Sequence, residues 1–271
     1  MKKVLFLIIC VFLLFVYGRS QSIPKGEFYD KSGAVDDNYN FWVYTPAEYE
    51  NDDHKMPLII FLHGASLCGR DINRVKRYGV LDAIEKGKII PALVLAPQNS
   101  GGAWKPEKIN GLLEWMKNNY RVDTTRVYVI GMSLGGYGTL DFVGTYPQKV
   151  AAAMALCGGC SLNNLDGLGN VPLWIMHGTA DRAVNVSQSK KIVDYLQDAG
   201  KDSLLRYDWL EKGSHGILAR LFYLQKTYDW LFAHSTMDNP REVNKNFGID
   251  YSDIKQTYEE LKWFKGMFDD D

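Results

Sequence analysis

Short apolar runs alternate with helix-length amphipathic stretches through most of this 271-residue chain. Pro57–Leu62, Ala92–Ala96, Val127–Gly131, Val150–Leu156 and Pro172–Met176 are apolar almost throughout. They lack the strict alternation of a strand with one wet face, so they read as strands buried on both sides of a parallel sheet. Leu204–Leu210 reads as a further strand. Between them, Arg74–Lys86, Pro106–Tyr120, the stretch from Ser133 to Tyr146, Ser187–Ala199 and Ile217–Phe232 carry helical spacing. Pro106 suits a first helical turn, while Pro147 and Gly200 close two of the helices. Upstream, Phe28–Tyr44 reads as two strands around a polar turn, an antiparallel hairpin at the sheet edge. Strands alternating with helices predict an α/β fold with a doubly wound, mostly parallel sheet. Ligands in such sheets bind beyond the carboxyl ends of the strands. That rim collects His63, Gly64, Gln98, Ser133, Cys157, Asp181 and His215.

The stretch Val127–Gly138 organises the rest. An apolar β-branched run ends at Gly131, Ser133 follows two residues later, and a helix-compatible run begins there. This is the Gly-x-Ser-x-Gly pattern in the context it needs, strand, sharp turn and helix. A serine at such an apex is crowded, so Gly131 and Gly135 must lack side chains for strand and helix to approach. The new helix also turns unpaired N–H groups toward the serine, where they can stabilise negative charge.

Composition narrows the picture. Lys plus Arg number 31 against 32 Asp plus Glu, a balance that gives no basic surface for tracking phosphates, so nucleic acid is not an expected partner. At the N-terminus, Lys2 and Lys3 precede the apolar run Val4–Tyr17, with small residues at Gly18 and Ser20. That is the layout of a cleavable export signal over residues 1–20, and the run is too short for a membrane span of roughly 20 residues. The expected mature protein is periplasmic or secreted, without a stable membrane anchor. Its catalytic domain is expected over 21–235. Residues 236–271 form a helical extension in which Ser252 caps a stripe of Ile254, Tyr258, Leu261, Phe264 and Phe268. Cys68, Cys157 and Cys160 remain after signal removal and allow at most one internal bridge; their reading is structural, bridged or free, and a bridge would join Cys157 to Cys68 or Cys160. No Cys/His pair stands at ligand spacing to complete a metal site with Cys157 and Cys160, so neither metal nor cofactor is expected.

Ser133 needs a base to take its proton and a carboxylate to fix that base's tautomer. His215 lies in a glycine-flanked turn after the final strand, and Asp181 in a short turn after the strand before it. This gives the chain order Ser133, Asp181, His215. His177 precedes the acid and His234 follows the last long helix, so neither fits. The oxyanion donors expected are the backbone N–H of Leu134, next to the nucleophile, and that of Ala65, after the His63 strand. His63 itself reads as structural. A serine peptidase on the same scaffold and a non-catalytic binding protein are the competing readings; the complete triad argues against the second.

Taken together, Phe61-Leu-His-Gly-Ala65, Leu95-Ala-Pro-Gln98, Gly131-Met-Ser-Leu-Gly-Gly136, His177-Gly-Thr-Ala-Asp181 and Ser214-His-Gly216 resemble the α/β-hydrolase superfamily. Within it, they are similar to the phospholipase/carboxylesterase, "predicted peptidase" and feruloyl-esterase-like branch. The likeness covers roughly Phe41 to Phe232. It implies a serine carboxylesterase, and it points to Gln98 and Trp104 as residues facing the pocket. Where such relatives often carry Gly-Glu-Arg-Gly, this chain has Ser66-Leu-Cys-Gly-Arg70, so the oxyanion loop is expected to differ. Only about fifteen residues, Gly158 to Pro172, follow the strand after the elbow helix, which leaves no room for a cap domain. An open cleft, with Trp104 and Tyr137 as aromatic walls, would admit feruloyl or acetyl esters carried on polysaccharide. A promiscuous small-ester carboxylesterase is the nearest alternative.

Overall fold

The computed structural model describes residues 26–51, 53–254, 256 and 257. The expected export signal and most of the expected C-terminal stripe, from Tyr258 onward, lie outside them. Eight strands, β1 (Glu27–Asp30), β2 (Asn40–Thr45), β3 (Met56–Leu62), β4 (Leu93–Gln98), β5 (Val122–Met132), β6 (Ala152–Leu156), β7 (Leu173–Gly178) and β8 (Leu205–Leu210), form one sheet. Their spatial order is β1-β2-β4-β3-β5-β6-β7-β8. The first two strands make the antiparallel edge hairpin, and β3 to β8 run parallel.

Helices cover both faces because the central strands are apolar on both. Along β3, Ile59 and Phe61 join one core cluster, while Leu58, Ile60 and Leu62 join the other. The second cluster is covered by α2 (Pro106–Asn119), α3 (Leu134–Thr145) and α4 (Ser187–Asp198). On the opposite face lie α1 (Val80–Glu85) and α5 (Gln225–Phe232). Ile249 and Ile254, at the start of the C-terminal extension, are buried in that same cluster. Asp250, not Ser252, caps this last turn: its carboxylate accepts the N–H groups of Ser252 and Asp253.

Two expected helices are broken. Arg74–Lys86 divides into a 3-10 turn over Ile72–Lys76 and the short α1. Gly79 sits between them at φ 100°, pressed so close to Phe61 that a Cβ there would lie 2.1 Å from the ring. Ile217–Phe232 is a 3-10 segment over His215–Tyr223 followed by α5, with extended backbone at Leu224. Tertiary packing decides both cases, since helical spacing alone does not register it.

No cap is inserted between β6 and β7; the connection holds only a 3-10 turn, Asp166–Asn170. Among the described residues, no helix is long and apolar enough to cross a membrane.

Candidate active site

Ser133 stands between β5 and α3 with φ 59° and ψ −121°, a strained conformation for a residue with a side chain. The crowding expected of this turn is severe. A Cβ at Gly135 would lie 1.8 Å from the Leu62 carbonyl oxygen, and one at Gly131 would lie 2.3 Å from the Gly135 oxygen. Only glycine permits that approach. Ser133 is partly exposed at the apex.

Across the rim, His215 Nδ1 lies 2.6 Å from Asp181 Oδ2. The other carboxylate oxygen accepts the N–H groups of Ala183 at 2.8 Å and Val184 at 2.9 Å. Burial alone would raise the Asp181 pKa. The His215 hydrogen bond and the two N–H donors outweigh it and hold the carboxyl below its ordinary range. Cys157 connects this pair to the elbow. Its thiol faces the Ser133 backbone N–H, and its sulfur lies with the Asp181 and His215 ligand atoms inside a 4.8 Å group. Such a triad of donors is of a kind that can hold a cation. Burial pushes the thiol well above its ordinary pKa, however, so a proton must first be removed. All three described cysteines are free, so neither of the two bridges considered is formed. Cys157 is turned toward the Asp181–His215 pair, and Cys160 Sγ instead meets Asp141 Oδ1 at 3.2 Å.

His177 is nearer the acid than its place in the chain suggested. Its Nε2 lies 3.2 Å from Asp181 Oδ2, and its Nδ1 lies 2.7 Å from Ser189 Oγ. Ser189 is wholly buried and donates to the Gly158 carbonyl at 2.7 Å. A substrate therefore cannot reach Ser189, whereas Ser133 opens to the rim.

The loop after β3 is held from several sides. Ala65 opens a 3-10 turn, and Leu134 opens α3. Both N–H groups therefore lack a partner within their own turns. His63 is buried and accepts the Asn99 N–H through Nε2 at 3.0 Å. That leaves Nδ1–H to donate to the Gly64 carbonyl at 2.8 Å. Burial lowers the His63 pKa to about 4, so the ring is neutral near pH 7. Gln98 Nε2 donates to the carbonyls of Leu67 at 2.7 Å and Gly69 at 3.1 Å, and Arg74 reaches those of Ser66 and Leu67. Arg74 and Tyr78, whose hydroxyl takes the Gly64 N–H at 3.1 Å, were not legible as site residues. Neither belongs to a motif.

The three residues expected to contact substrate fare differently. Trp104 is only 2% exposed: it packs on Gly138, donates to the His63 carbonyl at 3.2 Å and meets His63 edge-on. It supports His63 from the core instead of forming a wall. Gln98 is also buried, with its amide nitrogen committed to the loop. Its Oε1 has no hydrogen-bond partner. Tyr137 is partly exposed, with its ring over Gly159, where a Cβ would lie 2.6 Å from it.

Sheet order, helices on both faces and the elbow turn define an α/β-hydrolase fold. A family model for esterases, Esterase, matches residues 32–208, and the chain belongs to that family. Among curated proteins, it is 26% identical over 196 residues to feruloyl esterase D of Neurospora crassa, spanning 65% of this chain and 66% of that one. It is 31% identical over 94 residues to a bifunctional acetylxylan esterase/xylanase of Neocallimastix patriciarum, spanning 33% of this chain and 13% of that one. The chain thus spans less than two thirds of the curated relatives' length. A thermostable esterase superposes with TM-score 0.63 at 25% identity, covering 79% of this chain and 64% of the other. A feruloyl esterase module from Clostridium thermocellum, complexed with sinapinate, shares the fold with TM-score 0.56 at 15% identity, covering 73% and 86%.

Proposed function

We propose that this protein is an exported serine carboxylic-ester hydrolase. Ser133 is the nucleophile, His215 the base and then the acid, and Asp181 the residue that orients His215. The observation that carries the reading is the 2.6 Å contact of His215 with Asp181 on the rim where the strained Ser133 also stands. With Nδ1–H donated to Asp181, the neutral ring offers Nε2 to the serine proton. Ser133 Oγ attacks the ester carbonyl as that proton moves to Nε2, and the oxyanion is met by the N–H groups of Ala65 and Leu134. His215 then returns the proton to the departing alcohol, which leaves an acyl group on Ser133. Water, deprotonated by the same nitrogen, releases the acid and restores the hydroxyl. No step calls for a metal or cofactor.

The substrates proposed are feruloyl or acetyl esters of polysaccharide. The absence of a cap between β6 and β7 supports an open cleft, and Tyr137, partly exposed, is the aromatic side chain proposed to meet a flat acyl group. The names of the relatives lean the same way, and the N-terminal signal pattern supports a substrate outside the cytoplasm. Treating the folded protein with a fluorophosphonate probe tests the reading. Ser133 should be labelled and Ser133→Ala should not. Absence of label on Ser133 in folded protein would remove the enzyme reading altogether.

A further inference from the structure

The strongest unassigned group near Ser133 is the hydroxyl of Tyr78. A Cβ built on Gly64 would lie 2.7 Å from this hydroxyl and 3.5 Å from Ser133 Cβ, so all three border one small space. The hydroxyl accepts the Gly64 N–H at 3.1 Å and is also hydrogen-bonded to the Ser66 side chain. Its backbone is pinned. The next residue, Gly79, lies against Phe61 and donates its N–H to Tyr223 Oη at 3.3 Å.

Gly64 is the hinge that matters here. Its N–H belongs to the peptide before it, and its carbonyl belongs to the peptide that carries the Ala65 N–H. A glycine rotates about φ and ψ more freely than any other residue, so the direction of the Ala65 N–H is not fixed by local sterics. His63 Nδ1–H at 2.8 Å and the Leu67 N–H at 3.1 Å hold the second peptide through the Gly64 carbonyl. The first peptide is held at both ends, its His63 carbonyl by Trp104 Nε1–H at 3.2 Å and its Gly64 N–H by the Tyr78 hydroxyl.

We propose that Tyr78 is a positioning residue for ester hydrolysis: its hydroxyl holds the Gly64 N–H and, with His63 on the Gly64 carbonyl, fixes the direction in which Ala65 donates to the oxyanion. The inference rests on the esterase reading above, with Ala65 as a donor. Oxyanion donors act by being preorganised, and a misplacement of about 1 Å can cost on the order of 100-fold in rate. Tyr78 does not touch the reacting atoms, so its loss should cost less than loss of the donor itself. Burial pushes the Tyr78 phenol up, which keeps the hydroxyl intact across the neutral range.

The test is Tyr78→Phe in the full chain, compared with the unaltered protein for kcat and KM on 4-nitrophenyl acetate, for inhibition by a boronic acid that mimics the tetrahedral intermediate, and for melting temperature. We expect kcat to fall about 10- to 100-fold, with KM within about twofold and boronate affinity weakened by a factor similar to that of kcat. A kcat and boronate affinity within about twofold of the unaltered protein would overturn the inference, whatever the melting temperature does. A fall in kcat with boronate affinity unchanged would overturn it as well, because the damage would then lie outside the oxyanion site. If Tyr78→Phe does not fold, 3-fluorotyrosine at position 78 serves: it keeps the hydroxyl but weakens it as an acceptor, and a kcat and boronate affinity equal to the unaltered protein's would equally overturn the inference. Failure of the esterase reading is separable: the unaltered protein would then neither hydrolyse the ester nor take the fluorophosphonate on Ser133.

Discussion

His215 Nδ1 and His177 Nε2 both approach one oxygen of Asp181, Oδ2, at 2.6 Å and 3.2 Å. The shorter contact belongs to the ring that is partly exposed on the rim, the longer to a ring buried completely. A base must reach substrate, so the exposed ring suits the proposed base, while the buried one lies against the carboxylate from the core side. Asp181→Asn should accordingly lower kcat by about 10⁴-fold, because an amide can stabilise the wrong tautomer of His215. His215→Ala should be at least as severe. Steady-state kinetics on one activated ester measures both. A loss below about tenfold for either would break the assignment.

His177→Ala should act mainly on stability. Removing it opens a cavity and takes away the partner of Ser189 Oγ as well as a contact to the buried carboxylate. Loss of a hydrogen bond to a charged group costs about 2 kcal/mol, and kcat should fall far less than in His215→Ala. Urea unfolding beside kinetics separates the two effects. Were His177→Ala the crippling change and His215→Ala the mild one, the roles would have to be exchanged.

The elbow makes a sharper claim about packing. Gly135→Ala places a methyl carbon 1.8 Å from the Leu62 carbonyl oxygen, a backbone atom that cannot move without shifting β3. Overpacking of this kind should cost more than about 3 kcal/mol. Gly200→Ala is a useful contrast, since no atom lies within 4 Å of its Cβ and only its φ of 65° opposes the change. Chemical unfolding of the two variants should rank Gly135→Ala as much the worse; equal costs would mean that strand and helix are not in contact there.

Most of the sheet was legible because strand segments buried on both faces must be apolar, as β3 to β7 are apart from the polar stretch Asp123–Arg126 that begins β5. The edge hairpin was legible from its polar turn. The broken helices were not: Gly79 is pressed against Phe61, a contact the sequence does not display, and the extended backbone at Leu224 leaves no mark in the helical spacing. Within the site, the strained turn at Ser133 and the nearness of Asp181 to His215 were legible from turns with nearby glycines at strand ends. Tyr78 and Arg74 gave no such sign: each reaches the loop around Gly64 through space, and their spacing in sequence carries no signature. Trp104 was misread for a related reason. An aromatic residue near a strand end can face either cleft or core, and here Gly138 leaves exactly enough space to draw it inward.

Acidification should destabilise the fold through buried neutral imidazoles. In the folded chain, His63 stays neutral down to about pH 4, whereas in the unfolded chain it titrates near 6.5. Between those values the unfolded state binds a proton that the folded state does not, so stability rises with pH through this window and is lost as pH falls. The contribution of His63 is on the order of 3 kcal/mol. Burial lowers His177 and His234 as well, which adds slope of the same sign. Urea unfolding at several pH values from 7 to 4 should show the loss, and His63→Gln should flatten it. An unchanged slope in that variant would mean that His63 is not held neutral, and the clamp on the Gly64 carbonyl would have to be redrawn.

Substrate preference follows from the open connection between β6 and β7. A cap provides the apolar enclosure that rewards a long acyl chain, at roughly 0.8 kcal/mol for each methylene buried. Without one, binding should stop improving once the acyl group extends beyond the rim around Ser133. With no element inserted over the rim between β6 and β7, an alcohol as large as a polysaccharide should be admitted. On the proposed reading an aromatic acyl group rests against Tyr137, whose ring lies over Gly159. Methyl ferulate and acetylated xylan should therefore be turned over with kcat/KM at least comparable to 4-nitrophenyl butyrate, and Tyr137→Ala should penalise the ferulate more than the acetyl ester. An aminoacyl nitroanilide should be a poor substrate, since its amide must expel a worse leaving group at the same site. A preference for the nitroanilide would move the protein to the peptidases, and a preference for acyl chains longer than about eight carbons, each adding near the full methylene increment, would show an enclosing apolar tunnel.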